Sequence, residues 1–444
     1  MNLPTTLMRT FALATVLAGG LLALPAQAVE IQRFQTPGGI QVWLVEENTV
    51  PLITVNFAWR GGAAQDPSGK PGVSNFLTVM MDEGAGTLDA REFQEREELL
   101  AMRMSFNAGR DAYYGEFRTL VETRDEAFEM LRLAINEPRF DDDAFQRMRE
   151  QLLSGLRDEE TDPGTILSRT WGNAVFGNHP YGQPVDGTLA SVGAISVEDL
   201  RAFRDRNFAR DNLVVGVVGA IDKDTLAEKI DSVFGGLPHN AQLKPIPDAV
   251  LPDNAFLQLA ELDVPQTSIQ FGRPGLLRDD PDFIPAYVLN HILGGGSFSS
   301  RLYEEVREKR GLVYSVYSYL YPLDHAGLFV GGLGTGAERA QEAVDLVRSE
   351  VARMVEDGPT EDELAQAKAF LKGSYALRFD TGDKIAGQLV QLQLEELGAD
   401  YFDKRNDMIE AVTMEDVQRA ATRLLGNGDL FFVAVGRPTI KSGG

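Results

Sequence analysis

The chain has 444 residues, 43% hydrophobic and 24% charged, enough for two domains with cores of their own and ordinary for a folded globular protein. A formal net charge of −24 disfavours nucleic acid and anionic membrane surfaces as partners. The absence of cysteine excludes thiol catalysis and thiolate–metal sites.

Residues 1–28 read as a secretory leader. One Arg precedes the apolar run FALATVLAGGLLAL, and PAQA closes it with small residues, so cleavage is expected after Ala28. The alternative, an uncleaved anchor, is opposed by the shortness of the run and by Pro25. A periplasmic or secreted mature chain is expected, with no membrane association.

QVWLVEE and LITVNFAW alternate like a pair of strands. Helices are expected around Val73–Met81, Ala90–Met102, Arg124–Ile135 and Asp143–Asp158. Gly235 to Asn254 carries four prolines and reads as a linker, with domains at 30–236 and 255–440 and the linker proper at 237–254. In the second half TSIQFG, VYSVYSYLY and AGLFVGGL read as strands between helices.

Two passages align without a gap, ISVEDLRAFRDRNFARDNLVVGVVG ending at Gly219 and VTMEDVQRAATRLLGNGDLFFVAVG ending at Gly436. Each opens with a Ser or Thr cap, places Glu-Asp in the first helical turn, and runs into an apolar strand. The helix openings DAFQRMREQLL and DELAQAKAFLK form a second pair at nearly the same offset. Two similar halves are the economical reading. Strands grouped beside helices give an α+β fold of two homologous halves, each a helix-covered, mostly antiparallel sheet, forming a clam-like subunit.

Candidate chemistry is sparse. The four histidines, His179, His239, His291 and His325, include no pair at helical spacing. No G-x-S-x-G elbow, P-loop or GxGxxG is present. The most informative stretch is SFSSRLYEEVREKRGLVYSVYSYLY, Ser297–Tyr321. Ser299 or Ser300 can cap a helix whose Leu302 and Val306 face the core, and Gly311 can close it in a left-handed turn. That turn could bring Arg307 and Tyr314 to one side, as a cation and a phenol able to hold a carbonyl or an oxyanion. Read alone, the same residues fit an Arg on a helix shoulder and a Tyr in a strand.

LGGGSFSSRLYEEVREKRGLVYSVYS closely resembles the second-half signature of the inverzincin metallopeptidases, the family of pitrilysin, insulin-degrading enzyme and the mitochondrial processing peptidase. HPYGQPVDGT, the duplicated halves and the Pro-rich linker extend the resemblance over almost all of the mature chain. It implies that Arg307 and Tyr314 hold substrate near the scissile bond. It also implies that Asn107 and Ala108 lie on an edge strand able to pair with extended peptide. The usual Gly-Gly before that position is replaced by Arg103-Met104, which favours a plain edge strand there.

The departure is at Asn75-Phe76-Leu77-Thr78-Val79, where catalytic members carry H-x-x-E-H, two zinc-binding histidines and the glutamate that activates water. Asn75, Thr78 and Val79 replace all three chemical residues, and the position of the further glutamate ligand falls on Ser154 or Gly155. The resemblance therefore implies a chain that binds no metal, is inactive alone, and pairs as a heterodimer with a zinc-bearing homologous subunit. It would lend Arg307 and Tyr314 to the partner's cleavage of peptide substrates. The other reading is a purely structural or peptide-binding protein of the same fold.

Overall fold

A computed structural model describes residues 30–426, 428–437 and 440; the leader expected over 1–28 lies outside them. In the first half the strands are β1 (Gln32–Gln35), β2 (Gln41–Glu46), β3 (Leu52–Arg60), β4 (Arg103–Ala108), β5 (Ala112–Leu120) and β6 (Leu213–Gly219). In the second they are β7 (Leu257–Glu261), β8 (Gln266–Pro274), β9 (Val313–Leu323), β10 (Ala326–Gly336) and β11 (Phe431–Gly436). The sheets run β1-β2-β6-β3-β5-β4 and β7-β11-β8-β10-β9. Apart from β1 the two orders are the same, and so are the pairings: β2 to β6 and β7 to β11 are parallel, the rest antiparallel. The duplication read from the sequence is thus a duplication of topology.

β2 and β3 do not pair with each other, contrary to the sequence expectation. β6 lies between them, with Val55 opposite Val217 and Leu44 beside Val217 on the other side. A strand that returns from 150 residues downstream leaves no local signal in the two it separates. β6 reads LVVGVVG and is buried along almost its whole length, as a central strand covered on both faces should be.

Helices Arg124–Asn136 and Lys223–Phe234 pack side by side on one face of the first sheet. Beneath them Trp59 stacks flat on Phe208 with centroids 4.0 Å apart, and Phe234 meets Phe57 edge-on at 5.1 Å. The matched caps form as expected. Ser196 accepts from Asp199 N–H and Thr413 from Asp416 N–H, and in both the Asp returns the bond to close a capping box.

The opposite faces are covered by exchange. Helix Gly382–Leu394, from the second half, lies across β6 and β3 of the first sheet with Ala386 and Leu389 fully buried. Gly216 permits the approach, since a Cβ there would come within 2.7 Å of the Ala386 carbonyl oxygen. Arg60 caps the helix C-terminus, donating to the carbonyls of Leu394 and Gln393 at 2.8 Å each. Reciprocally, helix Pro163–Phe176 from the first half lies on β8 and β11, with Trp171 over Gly272 and 5.9 Å from Phe431.

Residues 241–253 have almost no regular structure but are pinned along this seam. Gln65 exchanges two bonds with the Lys244 backbone, and Ala249 N–H donates to the His325 carbonyl.

The exchange makes each sheet depend on the other half. Leu389→Ala should cost about 2–5 kcal/mol in urea unfolding. Residues 30–254 expressed alone should bind a hydrophobic dye and lose it when a peptide spanning 380–398 is added. A first half that melts cooperatively and ignores both dye and peptide would contradict this account.

Candidate functional site

The helix that replaces the metal-binding helix runs only over Val73–Thr78. It starts from left-handed Gly72 (φ 97°), whose N–H and that of Ser74 are both accepted at 2.8 Å by Asp66. It ends at Thr78, short of the expected Met81, because Val79 leaves the helical region and Gly84 and Gly86 then turn the chain with positive φ. The packing residues are in place: Phe76, Leu77 and Met80 are fully buried, and Phe76 stacks on Phe145 at 4.8 Å.

The chemical positions are empty of ligands. Thr78 donates its hydroxyl to the Asn75 carbonyl at 2.7 Å, and Val79 packs against the core. Ser154 and Gly155 are exposed on helix Asp142–Glu159. That helix is tied to the region through an ion pair between Arg147 and buried Glu83. Among the described residues no group of three or more His, Cys, Asp or Glu could hold a metal ion.

Asn107 and Ala108 lie on β4, the outer strand of the first sheet, with Asn107 exposed and Ala108 buried. Met104 turns into the core.

Arg307 and Tyr314 sit on adjoining elements of the second half, a helical turn and the outer strand β9 that it packs against. The helix is α-type at 301–302 and then widens into a π-helix over Tyr303–Glu308, with Lys309 N–H donating to the Glu304 carbonyl at 2.9 Å. Leu302 and Val306 are fully buried as expected, and Gly311 closes the turn at φ 61°. Neither Ser299 nor Ser300 makes the expected side-chain cap; both hydroxyls bond carbonyls behind them, those of Gly296 and Ser297.

The arginines of this turn differ in what holds them. Arg301 is clamped by both Glu363 oxygens at 2.6 and 2.7 Å and by the Gly358 carbonyl at 2.9 Å. Arg310 and Lys309 both bind Glu305 at 2.7 Å, and these cations hold its carboxyl below the usual range. Among the described residues Arg307 has no such partner: its guanidinium lies over the Tyr303 ring, 4.7 Å from the centroid, and the ion contact it makes there is with its exposed neighbour Glu308 at 3.2 Å. Tyr314 is 65% exposed. The Tyr303 platform escaped the sequence reading, although an aromatic four residues before an arginine was a visible signal.

His291 is buried against Phe370 at 4.9 Å, and burial pushes its pKa down. In the HPYGQPVDGT stretch, Tyr181 joins the halves: its hydroxyl meets Asp111 and accepts His325 N–H at 3.1 Å.

Residues 42–189 match the insulinase family, peptidase family M16, and residues 194–371 match the peptidase M16 inactive domain. The chain is 28% identical to the non-peptidase homolog YmxG of Helicobacter pylori, over 83% of this chain and 85% of that one. It is 25% identical to a Bacillus subtilis protein named uncharacterized zinc protease YmxG, over 89% and 95%. Among solved structures, a peptidase M16 inactive domain from Pseudomonas fluorescens superposes with TM-score 0.87 at 29% identity, covering 93% of this chain and 99% of that one.

Two outcomes follow. Excess zinc should leave the melting temperature unchanged, whereas a rise of several degrees would reveal a site that Asn75, Thr78 and Val79 cannot explain. Burial also raises three carboxyls around this helix, Asp66 to about 7, Asp82 to about 6, and Glu97 to about 7 with the Asp82 charge adding to it. A raised carboxyl keeps in the native state a proton that the unfolded chain has released. Its contribution is therefore full below the unfolded pKa and lost as pH rises through 6 to 7. Glu97→Gln should melt above wild type at about pH 8, and the gap should close toward about pH 5. A gap of constant size across that range would refute the assignment.

Proposed function

The chain belongs to the insulinase family of peptidases, family M16, and we propose that it is a zinc-less subunit that completes the active site of a zinc-bearing homologue. It works outside the cytoplasm once the leader is removed. It binds no zinc itself, and the metal belongs to the partner. Arg307 and Tyr314 take the substrate peptide, the guanidinium on a carbonyl and the phenol as a second donor.

The observation that carries this reading is the state of Arg307. Arg301 and Arg310 on the same turn are fixed by acidic side chains of the fold, while the half-buried Arg307 meets, among the described residues, the exposed carboxylate of its neighbour Glu308. A helix emptied of its chemistry at Asn75, Thr78 and Val79, in one chain with an uncommitted Arg and an exposed Tyr, fits division of labour between subunits. Preorganised donors of this kind contribute about 3 kcal/mol each to a developing charge.

The test compares cleavage of a quenched peptide library by this chain, by a zinc-bearing homologue, and by their equimolar mixture. Activity should appear in the mixture and not with this chain alone. Arg307→Ala should lower it by about a hundredfold or more while the complex still forms on a sizing column. A homologue equally active without this chain, or a mixture indifferent to Arg307, would reduce the chain to a structural or peptide-binding protein.

A further inference from the structure

We propose that Tyr303 is the positioning residue for Arg307, a deepening of the clamp reading on which it rests. The ring and the guanidinium are four residues apart on a π-helical turn and lie 4.7 Å from each other, centroid to carbon. Tyr303 is 8% exposed, so the platform itself is fixed in the core while the arginine above it meets solvent. Phe298 also meets the ring edge-on, with centroids 4.9 Å apart.

The Tyr303 hydroxyl is buried and makes no hydrogen bond among the described residues. The ring therefore acts on Arg307 through its π face and not through a polar contact. An exposed arginine samples many rotamers, and ordering them on binding weakens whatever contact it makes. A ring beneath the guanidinium narrows those rotamers in advance and leaves its N–H donors to the ligand. Glu308, exposed and adjacent in sequence, is a weak competitor.

Tyr303 packs in the core of the second half, and Arg301 with Glu363, Glu305 with Arg310, and the buried Leu302 and Val306 hold the same turn beside it.

Three versions of the full chain test this: wild type, Tyr303→Phe and Tyr303→Leu. Modification of Arg307 by phenylglyoxal, followed by peptide mass spectrometry, should run several-fold faster in Tyr303→Leu. Tyr303→Phe, which keeps the face, should match wild type. Equal rates in all three, or a Phe variant as fast as the Leu one, would overturn the proposal.

A second measurement needs no core substitution. In the wild-type chain the Arg307 side-chain Nε–H proton, assigned by its loss in Arg307→Lys, should be shifted upfield by the ring; an unshifted resonance would overturn the proposal even if Tyr303→Leu failed to fold. In the mixture with a zinc-bearing homologue, Tyr303→Leu should raise KM for a quenched peptide with little change in kcat, and Tyr303→Phe should restore it. Loss of kcat alone with KM unchanged would count against positioning. If Arg307→Ala leaves cleavage unchanged, the clamp reading fails while the reactivity and the proton shift still decide what Tyr303 does.

Discussion

Arg60 at the end of helix Gly382–Leu394 is the contact on which the arrangement turns. It donates to the carbonyls of Leu394 and Gln393 at the helix C-terminus, and it does so from the last residue of β3 in the other half. With the helix docked there, β2, β3 and β6 are buried on both faces and can be almost wholly apolar. Helix Pro163–Phe176 does the same for β8 and β11. The two sheets are therefore joined not by a hinge but by an exchange of covers. The loop sites of each half then hold fixed positions against a common core.

That rigidity makes the contrast between the two candidate sites meaningful. In the first half the segment from Val73 to Met80 keeps Phe76, Leu77 and Met80 in the core, while the Thr78 hydroxyl bonds the Asn75 carbonyl and Val79 packs against the core. In the second half Arg301 and Glu305 fasten the turn while Arg307 and Tyr314 stay at the surface. One site has become packing and the other has kept groups that the packing does not use. The division of labour proposed above would give both states one cause.

Local features were legible in the sequence because their causes are local. The capping boxes at Ser196 and Thr413, the buried pair Leu302 and Val306, and left-handed Gly311 each follow from residues within a few positions. The repeat was legible because its two copies kept the same cap-helix-strand pattern. The insertion of β6 between β2 and β3 was not, since strand order is set by partners far along the chain. Neither was the exchange of helices, because an amphipathic helix declares an apolar face but not the sheet that will meet it. The π-helix over Tyr303–Glu308 was hidden for another reason: its composition suits an α-helix equally well, and either turn sets Tyr303 and Arg307, four residues apart, on one face.

The exchange also sets an order in time. When β6 leaves the ribosome, the first sheet has all its strands, but its second face waits for a helix that ends 175 residues later, at Leu394. At about 5–20 residues per second that interval is roughly 10–35 s, far longer than hairpins or helices need to form. Throughout it, an apolar strip along β2, β6 and β3 faces solvent or a chaperone. Synthesis of this chain therefore passes through an obligatory sticky intermediate, and its yield in a cell should depend on holdase capacity more than on the stability of the finished fold.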